Sequence, residues 1–297
     1  MTDIIKLDSV TKIYDRFTAV NGVNLQIGEG EILGLIGHNG AGKTTTLKMM
    51  VGLLAPTTGS IEVMGHDITR ESTKVKQHIG YLPEESPLYE NMTIRQYLEF
   101  FGELYRIPKG TIGERIESLL DALKLEERDK FTGDLSKGMK RKVAIARTML
   151  HEPSILVLDE PNSGLDPLTS FFIIDYLKKL NAQGKTIILS AHNLFHIEYI
   201  CHRVAIMKGG NIYICDTIDA IREKIGKREY EVIFQSDAAL DYERQGDNYV
   251  FTTSDVAQIA SLLQRITEND WALIDLSVRQ SALEDMYVKL MDGETES

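Results

Sequence analysis

Residues 37–44, Gly37-His38-Asn39-Gly40-Ala41-Gly42-Lys43-Thr44, restrict this chain more than any other stretch of its length. They match G-x-x-x-x-G-K-[ST], follow the apolar run ILGLI (Ile32 to Ile36) and precede the helix-like TTTLKMMVGLL. Strand, glycine loop and helix in that order are the context the pattern needs. The glycines let successive N–H groups curl round phosphate oxygens, and the helix N-terminus adds partial positive charge. Lys43 reaches the β- and γ-phosphates, and Thr44 offers a hydroxyl to Mg²⁺. A glycine-rich turn without this role would rarely carry the Lys-Thr pair in register.

Such a loop needs an acid for the metal. Ile155-Leu156-Val157-Leu158-Asp159-Glu160 is a buried apolar strand ending in two carboxylates. Asp159 belongs in the Mg²⁺ shell, and Glu160 is left to polarise an attacking water. Alone this is an ordinary strand end; beside the phosphate loop it points to a P-loop nucleotide hydrolase.

Further strand-like runs occur at Ile61 to Met64, Ile79 to Leu82, Thr186 to Ser190, Val204 to Met207 and Asn211 to Cys215, with helical patterns between them, so the fold class is α/β. ILGLI and ILVL are apolar throughout, as strands covered on both faces of a parallel sheet are. Between Thr93 and Leu125 two amphipathic helices, broken at Pro108-Lys109-Gly110, read as a helical insertion at about 88–150. Gly209-Gly210 reads as a hairpin turn. From about Lys227 two strands, a helix, a strand and a last helix make a small β-β-α-β-α unit. The expected domains are therefore 1–222 and 227–297.

The run LSKGMKRK (135–142) is half Lys and Arg in a chain of net charge -11. Bulk acidity argues against a protein that coats nucleic acid, which needs a basic footprint to release counterions. The anion this run faces must be local. Cys201 and Cys215 stand apart with no CxxC or Cys/His cluster, which fits a reducing compartment. His192 and His196 have zinc-pair spacing, but HNLFH lacks the Glu of H-E-x-x-H. The mixed N-terminus does not read as a signal peptide, and no 18 apolar residues follow one another.

With LSKGMKRKVAIAR before the acidic strand, Ser163-Gly164-Leu165-Asp166 after it and Ala191-His192 closing TIILS, residues 3 to about 222 resemble the ATP-binding cassette family. The resemblance implies a RecA-like core with an antiparallel β subdomain and a helical subdomain. It implies ATP and Mg²⁺ as cofactors, with Gly37, Asn39, Gly40, Ala41, Gly42, Lys43, Thr44 and Thr45 around the phosphates and Tyr14 stacked on adenine. Two cassettes would pack head to tail as a homodimer, or a heterodimer with a related cassette. Ser136 and Gly138 would then touch the γ-phosphate held by the partner. Asp166 would link the two sites, and His192 would hold the γ-phosphate and orient the water.

Three departures stand out. Lys137 and Met139 replace a glycine and a glutamine of the family's signature; Lys137 either points outward or adds a cation near phosphate. Glu84, in Tyr81-Leu82-Pro83-Glu84-Glu85, stands for the family's glutamine and keeps an oxygen for Mg²⁺ while adding charge. Asn162 stands where threonine is common. Lys140, Arg141 and Lys142 are spread round a helix, some of them solvated. The ending SALEDMYVKLMDG, with Glu84 and KGM, is similar to cassettes of ABC-2-type exporters. The expectation is an ATPase on the cytoplasmic face of the membrane, held there by separate integral permease subunits, with no direct nucleic-acid partner. The alternatives are a soluble cassette acting on nucleic acid or ribosomes, which usually carries two cassettes or a long coiled coil, and a nucleotide-dependent binding protein with little hydrolysis.

Overall fold

The computed structural model of the chain describes residues 3–226, 228–236 and 238–292. Two compact units, Met1–Thr217 and Ile218–Ser297, divide it. The helix at 218–225 thus groups with the second unit, although the sequence suggested a first domain running to 222. Lys227, Asp237 and residues 293–297 of the expected 227–297 domain lie outside the described residues.

The first unit opens with β1 (Asp3–Tyr14), β2 (Phe17–Gly28), β3 (Ile32–Ile36), α1 (Lys43–Met50), β4 (Thr58–Val63), β5 (His66–Asp67), α2 (Ser72–Lys76) and β6 (Ile79–Leu82). A helical layer follows, α3 (Ile94–Leu104), α4 (Lys109–Ala122) and α5 (Lys137–Met149). The chain then returns through β7 (Ile155–Asp159), α6 (Pro167–Ala182), β8 (Thr186–Ser190), α7 (Leu194–Ile200), β9 (Arg203–Lys208) and β10 (Asn211–Thr217).

Strands β2-β1-β4-β5 form an antiparallel sheet, and β10-β9-β3-β8-β7-β6 form a second sheet that is parallel except at β10. Every residue of β3, β7 and β8 is buried, as expected of strands covered on both faces. The parallel order places the C-terminal ends of β3, β8, β7 and β6 side by side along one edge, where open α/β sheets bind their ligands. Gly209 and Gly210, both at positive φ, turn β9 into β10.

The two longest strands of this unit, β1 and β2, are not among the runs picked out in the sequence. Four register shifts interrupt their pairing, so burial along β1 does not alternate. Bulges of this kind erase the period of two on which a strand is recognised.

In the helical layer Thr93 and Gln96 form a reciprocal capping box that starts α3. Gly102 lets α3 come close to α4: a Cβ there would lie 3.1 Å from Ile112 Cδ1. Ser136 caps α5 by accepting from Met139 N at 3.3 Å.

The second unit contains α8 (Ile218–Ile225), β11 (Arg228–Gln235), β12 (Glu243–Gln245), β13 (Asn248–Thr253), α9 (Val256–Glu268), β14 (Ala272–Gln280) and α10 (Leu283–Asp292). Its antiparallel sheet, β12-β13-β11-β14, packs Val232, Phe234 and Tyr249 against Ile259, Leu262 and Ile266 of α9. The short strand β12 is additional to the expected β-β-α-β-α order. Three residues, all exposed, leave no pattern by which to find it.

Candidate functional site

The phosphate loop leaves β3 at Gly37 and enters α1 at Lys43, with Gly40 and Gly42 at φ 81° and 105°. Two of its glycines are fixed by space as well as by torsion. A Cβ on Gly37 would lie 2.5 Å from Met207 O, and one on Gly42 2.6 Å from Ala19 O. At these two positions the loop is pressed onto β9 and β2 with no room for a side chain.

Lys43 is only 7% exposed. Its ammonium donates to Gly37 O at 2.5 Å and to His38 O at 3.3 Å, which holds the side chain along the loop. Burial pushes this lysine below its ordinary pKa, and Glu160, Asp159 and Glu84 each pull it back. Three of the four acids named from the sequence, Glu84, Asp159 and Glu160 but not Asp166, therefore act electrostatically on the one lysine.

The β7 carboxylates take different environments although they are neighbours. Asp159, 1% exposed, accepts from Ser190 Oγ at 2.5 Å through Oδ1, while its buried Oδ2 has no partner. The same Ser190 hydroxyl accepts from Glu160 N at 3.0 Å, so β8 fixes both acids. Glu160 adopts a left-handed backbone, φ 48°, which costs a non-glycine residue about 1–2 kcal/mol. Its Oε2 accepts from His192 N at 3.2 Å, and Oε1 lies 3.3 Å from His192 Nε2. Burial raises the Glu160 carboxyl above its ordinary value, with Asp159 adding to the rise and His192 and Lys43 opposing it.

A single cleft is lined by Asn39, Gly40, Ala41, Gly42, Lys43, Thr44, Thr45, Glu84, Asp159, Glu160 and His192. Gly37 does not line it; its carbonyl accepts from the Lys43 ammonium. Tyr14 lies at the β1–β2 turn, half exposed, with Lys12 Nζ 5.3 Å from its ring centre. Phe17 and Ala19, rather than Tyr14, line the cleft itself.

Ser136, Gly138 and Asp166 are not part of that cleft. They line a second one, with Lys137, Met139, Lys142, Gly164, Leu165 and Thr169. Asp166 caps α6 by accepting from Thr169 N at 2.9 Å, and that hydrogen bonding lowers its pKa. Lys137 turns toward the Ser163–Asp166 loop: its Nζ fills the space that a side chain on Gly164 would need.

Several neighbours escaped the sequence reading. Ser190 is an unremarked end to TIILS, yet it joins both carboxylates. Asn162 and His196 form a buried pair, with Nδ2 and Nδ1 2.6 Å apart, that ties the loop after Glu160 to α7. Arg141 is buried rather than solvated, because its guanidinium finds carbonyls on two turns beside the cleft. No signal in the sequence reveals these partners, which are mostly backbone atoms or distant in the chain.

The oxygens of Thr44, Asp159 and Glu84 are hard donors suited to Mg²⁺, and the orphaned Oδ2 of Asp159 provides a buried acceptor among them. Among the described residues no group of three His, Cys, Asp or Glu is placed to hold a metal ion.

The ABC transporter family model matches residues 20–163. The bacitracin transport ATP-binding protein BcrA of Bacillus licheniformis is 32% identical over 99% of this chain and 99% of its own length. The Nod factor export ATP-binding protein I of Paraburkholderia xenovorans (strain LB400) is 37% identical over 69% of this chain and 68% of its own. Among solved structures, a dimeric ATP-binding cassette in a post-hydrolysis state with ADP and Pi superposes with a TM-score of 0.67 at 29% identity, covering 72% of this chain and 98% of that one. The chain belongs to the ATP-binding subunits of ABC transporters, ATPases of the α/β P-loop fold.

Proposed function

We propose that this chain drives an exporter as one of two cassettes that close on MgATP, each docked on an integral membrane permease at the cytoplasmic face. The observation that carries the reading is the separation of the phosphate-handling residues into two clefts of one chain. The phosphate loop, Glu84, Asp159, Glu160 and His192 are in one, and Ser136, Gly138 and Asp166 are in the other. A second cassette, turned head to tail, completes each site, and the dimeric relative supports this. The export direction is supported by the names of relatives that serve bacitracin transport and Nod factor export. No described helix is long and apolar enough to cross a membrane.

Lys43 and the loop N–H groups bind and orient the triphosphate, and Thr44, Asp159 and Glu84 would hold Mg²⁺, which neutralises phosphate charge when bound. Glu160, raised in pKa and aimed by His192, takes the proton of the water that attacks the γ-phosphate. Most of the rate gain comes from position and charge. Cross-linking or light scattering of the purified chain with MgATP tests the dimer; a chain that turns over ATP as a monomer would contradict it.

A base must be ionised to act, so turnover is lost as pH falls through the pKa of Glu160. Because that pKa is raised in the free chain, the acid limb of kcat/KM is expected above the ordinary glutamate value of 4.5. A pH profile of steady-state hydrolysis checks this, and a limb at or below 4.5 would remove Glu160 from the role.

The helical layer exposes Tyr89, Phe100, Leu104, Tyr105 and Phe131. Tyr89 packs edge to face on the buried Tyr97 and Phe100 edge to face on the half-buried Phe101, so this apolar patch has a firm base. We assign it to the permease. Phe100→Asp is expected to weaken co-purification with the membrane subunit while ATP hydrolysis by the isolated chain stays within about twofold, since surface changes are usually small in stability. Undiminished co-purification would place the docking surface elsewhere.

A further inference from the structure

Arg141 is 9% exposed and donates five hydrogen bonds, every one to a backbone carbonyl. Nε reaches Pro161 O at 2.7 Å, and Nη2 reaches Asp159 O at 2.9 Å and Glu160 O at 2.7 Å. Nη1 reaches Pro83 O and Glu84 O, both at 2.9 Å. Three successive carbonyls, 159 to 161, converge on one guanidinium. The left-handed backbone of Glu160 lies in the middle of that run. The other two carbonyls belong to the turn that carries Glu84. One side chain therefore spans both turns that bring carboxylates into the cleft. It stands on α5, three residues after Gly138.

We propose that Arg141 is a positioning residue for ATP hydrolysis: it holds the Glu160 and Glu84 turns in their working geometry and joins both to the helix that Ser136 begins. It touches no nucleotide atom in this role; it acts through the residues it holds. Lysine does not substitute, because an ammonium has three donors and no planar fork, and so leaves at least two of the five carbonyls unserved. Buried carbonyls that lose their partner relax toward other donors, and the Glu160 turn shifts with them.

This rests on Glu160 being the base, so the experiment tests the two separately. Steady-state and single-turnover MgATP hydrolysis is measured on the full chain and on Arg141→Lys, Glu160→Gln and the double variant. Arg141→Lys is expected to lower kcat about ten- to a hundredfold, with KM for ATP within about threefold of the parent. In the Glu160→Gln background the same change is expected to cost clearly less than in the parent, because one of the two carboxylates it positions has gone. Near-normal kcat in Arg141→Lys overturns the proposal, as do losses that multiply in full in the double variant or a KM that worsens in step with kcat. If Glu160→Gln turns over normally while Arg141→Lys does not, the base assignment fails, and with it this proposal's route through Glu160. Should Arg141→Lys fail to fold, Arg141→Gln takes its place under the same criteria. Failure of both to fold assigns Arg141 to structure alone and overturns the positioning role.

Discussion

Glu160→Gln is expected to leave ATP binding intact and to slow hydrolysis by about 10²- to 10⁴-fold, the range lost with a general base. The substitution keeps the shape of the side chain and an oxygen able to accept from His192 N, which now bonds Oε2 at 3.2 Å. It takes away the proton acceptor. It also removes a negative charge from beside Lys43, whose ammonium Glu160 helps to keep protonated, and beside the place where the triphosphate binds. Less repulsion near the γ-phosphate favours the nucleotide-bound form, so ATP-closed dimers should accumulate and persist. Gel filtration with ATP, followed by nucleotide analysis of the dimer peak, reads this directly. A variant that hydrolyses at the parental rate, or that forms no ATP-dependent dimer, would contradict the assignment. The acid limb of the pH profile should vanish in the same variant, because the group that titrates there is gone.

The parts of the site that could be read in advance are those whose chemistry is local in the chain. The phosphate loop is one such part: the Gly37 to Thr44 spacing reports torsions and close approaches at positions that admit no side chain, and the observed backbone contacts at Gly37 and Gly42 are their cause. The ILVLDE run is another, since four buried apolar residues followed by two carboxylates leave little choice of place. What stayed hidden depends on pairing across distance. The β1 and β2 strands lose their alternation to bulges. Arg141 binds carbonyls from residues 83 to 161, and a carbonyl carries no residue identity for a sequence pattern to register. In a basic run on a helix, one residue pointing inward looks like its less buried neighbours. Lys137 was undecided between an outward and a phosphate-facing place for the same reason. It leans on Gly164, a glycine whose missing side chain makes the room.

Lys43→Ala should act at the opposite end of the cycle, on binding rather than on the chemical step. The ammonium is gripped by Gly37 O and His38 O and so is aimed before any phosphate arrives, which limits the ordering cost of binding. Its removal leaves three carboxyl groups, Glu84, Asp159 and Glu160, facing a triphosphate without their nearest lysine. Truncating one partner of a buried, hydrogen-bonded charge pair costs about 2–5 kcal/mol, which corresponds to a rise of about thirty- to five-thousandfold in the Kd for ATP. Lys43→Arg should recover little of this, because a planar guanidinium is wider than the ammonium the loop encloses and the side chain is almost wholly buried. Titration with a fluorescent ATP analogue measures the loss, and the melting temperature without nucleotide separates it from unfolding. The two variants differ in kind: Glu160→Gln binds and stalls, whereas Lys43→Ala fails to bind. If Lys43→Ala kept parental affinity and lost only kcat, the lysine would be a transition-state contact, and the grip of Gly37 and His38 on it would serve the moving γ-phosphate alone.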